Sequence, residues 1–419
     1  MREHNVRELR CRECGAHYPI EARAVCDECF GPVEVVYDFD RVRSSIGAET
    51  ISHGPPSLWR YAPLLPDLAP ELRVDLGAGW TPLRRASRLG DALGLSDLWI
   101  KNDTVNPTGS FKDRVVSVAL SVARVFGFDT VACASTGNLA GAAAAAAAAA
   151  GMRCYVFVPR DLETAKIVSA AAYGATVVAV HGSYDQTNRL CSEIAEAYPW
   201  AFVNVSLRSY YAEGSKTLAF ETAEQLGWTL PDHVVVPIAS GALLTKIRQA
   251  FEELGKAGLV QPSVVRVSGA QATGCSPVSQ AFREGSDEIH PQRPATIARS
   301  LAIGDPADGA YALSAVRETK GAIEDVSDDE IREGITLLAR TEGIFAETAG
   351  GVTIAALRRL RERGVIGERE RTVAYVTGNG LKTVDALEAS MGPALEVRPT
   401  IESFEAAAGQ ARIPLEVRS

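Results

Sequence analysis

Residues 142–150 are all alanine, and the run is flanked by short apolar, β-rich stretches at 130–134 and 154–158. Alanine is the best helix former but buries little area, so such a helix belongs where it can lie close against a sheet. It is too short to span a bilayer, which takes about 20 apolar residues. The stretch therefore reads as the crossover of a strand–helix–strand unit, and crossovers of this kind imply parallel strands joined in the right-handed sense. The alternation continues with apolar runs at 176–180 and 201–204 and helical segments near 163–173 and 184–198. A second series follows, with a helix from 213–217 to about 227, a strand at 233–237, a helix to about 256 and a strand at 263–268. Helices near 307–318, 327–341 and 350–363 and a strand at 372–376 complete it. The fold class is α/β, built on open sheets.

In open α/β sheets, ligands gather at the carboxyl ends of strands, where loops feed helix N-termini. The loop Asn106-Pro107-Thr108-Gly109-Ser110-Phe111-Lys112-Asp113-Arg114 is rich in turn formers, and apolar residues at helical spacing follow it. Ser110 and Asp113 have the spacing of a capping box, with Ser110 as N-cap. Lys112 then falls in the first helical turn, where exposed N–H groups disfavour an ammonium. A lysine so placed suits service as a neutral amine that attacks a carbonyl carbon and forms a Schiff base. Three strand-end loops supply complementary chemistry. Ser135-Thr136-Gly137-Asn138 offers hydroxyls, an amide and backbone N–H groups to a carboxylate or phenolic oxygen. Ala239-Ser240-Gly241-Ala242-Leu243 suits a phosphate cradled by backbone donors. Thr377 ends the last strand, ahead of Gly378 and Gly380. Together with Lys112 these loops describe the surroundings of a phosphorylated aldehyde.

Other chemistries lack their patterns. Glu213-Gly-Ser-Lys-Thr217 does not have the glycine spacing of a P-loop, no GxGxxG follows the early strands, and the six histidines form neither a triad pattern nor HExxH. A net charge of -9 argues against non-specific nucleic-acid binding. Residues 1–10 are charged and polar and no apolar run is long enough to span a membrane, so a soluble, cytoplasmic protein with no membrane partner is expected. Four of the eight cysteines form two CxxC pairs, Cys11/Cys14 and Cys26/Cys29, with Gly15 and Gly31 beside them. This spacing suits tetrahedral Zn2+, and four thiolates leave no open position for catalysis, so the metal is structural. The alternating stretch 33–40 closes this module at 1–40. Residues 41–79 read as a connecting arm, and those from 392 to 419 as a tail.

From Trp80-Thr-Pro-Leu83 to about residue 382 the chain resembles the threonine synthases, pyridoxal-phosphate enzymes of fold type II. The lysine loop, Ser135-Thr-Gly-Asn138 and Val376-Thr-Gly-Asn-Gly-Leu-Lys382 carry the resemblance, and the cysteine module is similar to that of one subgroup. The resemblance implies a two-domain, tryptophan-synthase-β-like fold, with residues 80–114 and 206–391 as the large cofactor domain and 115–205 as a smaller mobile domain. It implies that Lys112 carries the pyridoxal 5'-phosphate beside Phe111, that Asn138 bonds its phenolic oxygen and that Thr377 faces its ring nitrogen. Ser135, Thr136 and Gly137 would take the substrate carboxylate. Where many members have Gly-Asn-Ala-Gly-Asn as a phosphate loop, this chain has residues 239–243. Its Asn204–Glu213 stretch also departs from the common pattern, leaving Arg208 and Lys216 as candidates for a substrate phosphate. The implied reaction is conversion of O-phospho-L-homoserine and water to L-threonine and phosphate, by a homodimer. Alternatives are β-replacement on O-phosphoserine, as in cysteate synthase, a serine/threonine dehydratase, or a cofactor-binding regulatory protein without activity.

Overall fold

Alternation places Val33, Val35 and Tyr37 on one buried face, and the strand that carries them belongs to a small antiparallel sheet at the amino terminus. Its strands are β1 (Val6–Cys11), β2 (His17–Tyr18) and β3 (Val33–Tyr37), in the order β2-β1-β3. The computed structural model describes residues 5–135, 137–160, 164–182, 184–388 and 391–411. The chain divides after Lys382 into two compact units, 1–382 and 383–419.

Two larger sheets complete the first unit. One contains β4 (Leu83–Arg85), β5 (Leu98–Asn102), β10 (His233–Pro237), β11 (Arg266–Ala272), β12 (Ile323–Val326) and β13 (Thr372–Val376), in the order β12-β11-β10-β13-β5-β4. All neighbours are parallel except β4, which runs antiparallel at the edge. The other contains β6 (Thr130–Ala134), β7 (Arg153–Pro159), β8 (Thr176–Val180) and β9 (Ala201–Phe202), all parallel in the order β8-β7-β6-β9. Every residue of β6, β10 and β13 is buried, as expected for parallel strands covered on both faces, and this is why they read as continuous apolar runs rather than alternating ones.

The alanine run forms the helix Asn138–Ala150, ended by Gly151 in the left-handed conformation. Ala142, Ala143, Ala144, Ala146 and Ala147 are buried in one cluster with Val131, Cys133 and Val156 of β6 and β7 and with the helix Lys112–Val125. The close helix-to-sheet packing implied by the composition is thus realised. Val6, Leu9 and Val35 of the cysteine module belong to the same cluster.

Three parts depart from the sequence reading. Residues 41–79, expected as a connecting arm of little periodicity, pack into the molecule: Leu58, Trp59, Tyr61, Leu64 and Leu65 are buried, and Trp59 Nε1 donates to Ser117 Oγ at 3.1 Å. Their 3-10 turn Leu58–Leu64 contains Pro63 and has no 3.6-residue period to detect. Strands β4 and β12 are too short to stand out. The segment read as a tail contains a helix, Ile401–Gln410, whose start is capped by the Thr400 side chain accepting the Ser403 N–H. Among the described residues no helix is long and apolar enough to cross a membrane.

Candidate active site

Lys112 is the first residue of the helix Lys112–Val125, as its loop predicts, but the cap is built differently. Ser110 Oγ accepts the N–H of Lys112 at 3.3 Å, while the Asp113 carboxylate turns back to accept both the N–H and the hydroxyl of Thr108, each at 2.7 Å. The expected Ser110–Asp113 box does not form, because Ser110 pairs across to Gly378 and leaves Asp113 to close the turn. The residues after β13 stitch this corner together. Thr377 is buried and its carbonyl accepts the Phe111 N–H at 2.9 Å, and Asn379 N–H donates to Gly109 O at 2.9 Å.

The Lys112 amine donates to the Tyr211 hydroxyl at 2.8 Å and lies 4.6 Å from the centre of the Phe111 ring. Burial pushes its pKa down from 10.5 to about 8, against the opposing pull of the Glu347 carboxylate. Neither Tyr211 nor Glu347 was singled out in the sequence. Glu347 is the N-cap of the helix Thr348–Glu362, which begins two residues before the sequence reading placed it. Both Glu347 carboxylate oxygens accept from Asn138 Nδ2, at 3.1 and 3.0 Å. Gly378 permits this approach, since a methyl group there would overlap the Glu347 carboxylate.

This arrangement sets an expected pH response. Removing the Glu347 charge in Glu347→Gln takes away a group that favours the ammonium, so the midpoint of Lys112 falls below about 8, by about one pH unit. The pH dependence of Lys112 modification by cyanate, read by mass spectrometry, checks it; an unchanged or higher midpoint contradicts the assignment.

The predicted carboxylate loop is only partly described. Thr136 lies outside the described residues. Ser135 Oγ is turned inward and accepts the N–H groups of Gly137 and Ala140, at 3.1 and 3.3 Å, so its hydroxyl organises the loop. Asn138 opens the alanine helix, and because its N-cap residue Gly137 has no side chain, Ser135 Oγ serves the first turn instead through the Ala140 N–H.

At 239–243, Gly241 has φ 99° and introduces the helix Ala242–Lys256, again without a side-chain cap. A Cβ on Gly241 would collide with the Asp308 carbonyl oxygen, so only glycine allows the chain to pass so close. Asp308 fixes the loop through its N–H to Ser240 O at 2.8 Å, and its carboxylate holds Arg208 Nη2 at 2.7 Å. Arg208 is thus next to the loop but tied to Asp308. Lys216 must be removed from the site: its ammonium is fully buried between Glu213 and Glu253, at 2.5 and 2.8 Å, and is committed to them. A sequence cannot show that two carboxylates, one of them 37 residues away, converge on it.

These residues fit a phosphorylated aldehyde. An uncapped helix start behind a glycine too close-packed for any side chain offers backbone N–H groups to a phosphate. A half-buried amine with a depressed pKa is available to a carbonyl carbon, and Asn138 brings an amide to the same corner through Glu347.

Cys11, Cys14, Cys26 and Cys29 come together, with all four Sγ atoms within 4.8 Å of one another. Cys11 and Cys29 are 3.4 Å apart, and Cys14 and Cys26 3.5 Å. Thiolates at about 2.3 Å from zinc in a tetrahedron stand about 3.8 Å apart, so the cluster fits that ion with little adjustment.

Comparison with known proteins bears on this site. Residues 74–378 match the family described as Pyridoxal-phosphate dependent enzyme. The threonine synthase of Methanocaldococcus jannaschii is 37% identical over 379 residues, covering 90% of this chain and 93% of that one. That of Methanosarcina acetivorans is 37% identical over 377 residues, covering 89% and 92%. Among solved structures, threonine deaminase isoform 2 from Solanum lycopersicum aligns with a TM-score of 0.63 at 21% identity, covering 88% of this chain and 90% of that one. Maize serine racemase aligns at 0.62 and 21%, covering 74% and 91%. At such identities the solved structures speak for the fold alone.

Proposed function

The chain belongs to the threonine synthase family of pyridoxal-phosphate-dependent enzymes, and from that premise we propose that it converts O-phospho-L-homoserine and water to L-threonine and inorganic phosphate. The observation that carries the proposal is the setting of Lys112, a half-buried lysine whose amine donates to Tyr211 and has its pKa pushed down to about 8 by desolvation despite Glu347. When bound, pyridoxal phosphate supplies an electrophilic carbon and a sink for charge that develops at the substrate's α carbon. The remaining work falls to side chains and backbone of this chain.

The 239–243 loop and the first turn of Ala242–Lys256 hold the cofactor phosphate through backbone donors, with Ser240 adding a hydroxyl. Asn138, whose amide Glu347 holds, would bond the cofactor's phenolic oxygen, and Thr377 would offer a hydroxyl to its ring nitrogen. A hydroxyl, unlike a carboxylate, does not keep that ring protonated, which suits elimination over transamination. The backbone of 135–137 receives the substrate carboxylate, and Arg208, already beside the phosphate loop, is the candidate for the substrate phosphate once released from Asp308. Lys112, uncharged above about pH 8, takes the α proton and returns protons along the side chain. The Cγ–O bond breaks to release phosphate, and water adds at Cβ. We assign closure over the substrate to residues 115–205, whose four-stranded sheet is separate from the six-stranded one.

The cysteine cluster completes the reading as a structural Zn2+ site, with stoichiometric zinc expected on metal analysis of the purified protein. Assembly as a cytoplasmic homodimer belongs to the same proposal and is read from the mass in solution. The decisive assay follows phosphate release and threonine formation from O-phospho-L-homoserine, beside O-phosphoserine with sulfite. Threonine from the first substrate alone is expected; its absence ends the proposal, and turnover of the second pair transfers the site to β-replacement chemistry.

A further inference from the structure

We propose that the amino-terminal cysteine module positions the reacting lysine: it fixes the short helix Arg208–Glu213 through Ser209, Tyr210 and Glu213, and so holds the Tyr211 hydroxyl against Lys112 Nζ. The inference rests on the reading of Lys112 given above. A helix of six residues has no stability of its own and takes its place from what it touches. On one side it touches the module. Ser209 Oγ lies between two carbonyl oxygens, Arg23 O at 2.8 Å and Val33 O at 2.6 Å, that share its one proton, and Tyr210 OH donates to Glu21 O at 2.8 Å. Tyr37 of β3 donates to Glu213 at 2.6 Å, and Glu213 also binds Lys246, which reaches Glu34 of the same strand at 3.5 Å.

Helical geometry sends Tyr211 the other way. Ser209 and Glu213 are four residues apart and share a face, while Tyr211 lies two residues from each, about 200° around the axis. Its hydroxyl meets Lys112 there, and its half-buried ring packs against the cluster that contains the alanine helix. Glu21 and Arg23 lie between Cys14 and Cys26, and Val33 lies four residues beyond Cys29. Two of the backbone carbonyls that hold the helix, those of Glu21 and Arg23, therefore belong to the loop between the two cysteine pairs, and the third, that of Val33, opens β3 just beyond them. The charged or titratable groups facing this pair are Glu347 on the lysine side and Cys133 behind the tyrosine.

The test uses the full chain freed of cofactor and measures the pH midpoint of Lys112 modification by cyanate, peptide by peptide. Tyr211→Phe removes an acceptor of the charged amine, so the midpoint falls by about one pH unit. The double variant Ser209→Ala with Tyr210→Phe changes nothing that contacts Lys112, yet is expected to lower the midpoint by a similar amount. Combining all three changes is expected to lower it no further than Tyr211→Phe alone. Ser209→Ala by itself, with a smaller shift of the same sign, serves if the double variant does not fold. A seam variant with the parental midpoint, an additive triple variant, or a Tyr211→Phe protein with no shift each overturns the proposal. Because the measurement needs neither cofactor nor substrate, it stays readable if the threonine assay fails, and the two failures are distinct.

Discussion

Lys112→Ala is expected to lose on the order of 10^4 in the rate of threonine formation, together with the visible absorbance of the bound cofactor. The size follows from the two tasks given to one amine, bonding to the carbonyl carbon and moving the substrate's protons. Both tasks require the uncharged form. Lowering the pKa from 10.5 to about 8 raises the uncharged fraction at pH 7 by roughly three hundredfold. Lys112→Arg discriminates further, because a guanidinium restores charge and length but does not deprotonate, and is expected to be as inactive as alanine. For the parent enzyme, activity governed by this amine rises with pH through about 8. A Lys112→Ala protein that retained turnover would remove the lysine from the mechanism, and with it the reading of the site.

The second large effect concerns stability. Two residues beyond the lysine, Arg114 is fully buried and holds Asp103 through Nε and Nη2 at 2.7 and 2.8 Å, along with Glu221 and Thr81. Lys101 adds an ion pair to Glu221 at 2.6 Å. Burial alone would raise the Glu221 pKa, but the Arg114 and Lys101 charges more than reverse this and hold it at about 2. Glu221→Ala leaves two buried cations short of a partner, and the expected loss is about 3–5 kcal/mol in urea unfolding. A loss below about 1 kcal/mol would show that the remaining carboxylate suffices. The pH response has a defined sign: the folded value lies below the ordinary 4.5, so the Glu221 contribution is complete above 4.5 and is lost as pH falls through about 2. Acid unfolding between those limits should be weaker in pH dependence for Glu221→Gln than for the parent.

What could be read from the sequence was local. The lysine loop, the 135–138 turn and the 239–243 turn each announce themselves through turn formers ahead of a helix, and the CxxC pairs through their spacing. Partners that arrive from distant segments left no comparable mark. Glu347 is an acidic residue before a helix, a common arrangement, and only its meeting with Asn138 across 209 residues gives it meaning. Tyr211 sat in a stretch recognised as unusual, but nothing local shows which face of a six-residue helix meets Lys112. Lys216 misled for the opposite reason: a lysine after Glu-Gly-Ser suggests a ligand contact until Glu253 is seen beside it. The packing of the 41–79 segment left no mark because irregular turns can bury aromatic residues without any periodic pattern.

The position of β13 bears on how the molecule is made. It is the last strand of the six-stranded sheet to be synthesised, yet it lies between β10 and β5. Until residues 372–376 leave the ribosome, that sheet exists as two separate pieces, each with an unpaired edge where β13 will later sit. The loop that follows β13 carries the carbonyls that hold Phe111 and Glu347. The nascent chain therefore cannot assemble its reactive corner early, and a protein truncated before 372 would expose two sticky edges rather than a smaller working enzyme. Folding of this unit waits on a long-range insertion, and pairing of that kind is slow and leaves edges exposed to aggregation until it is made.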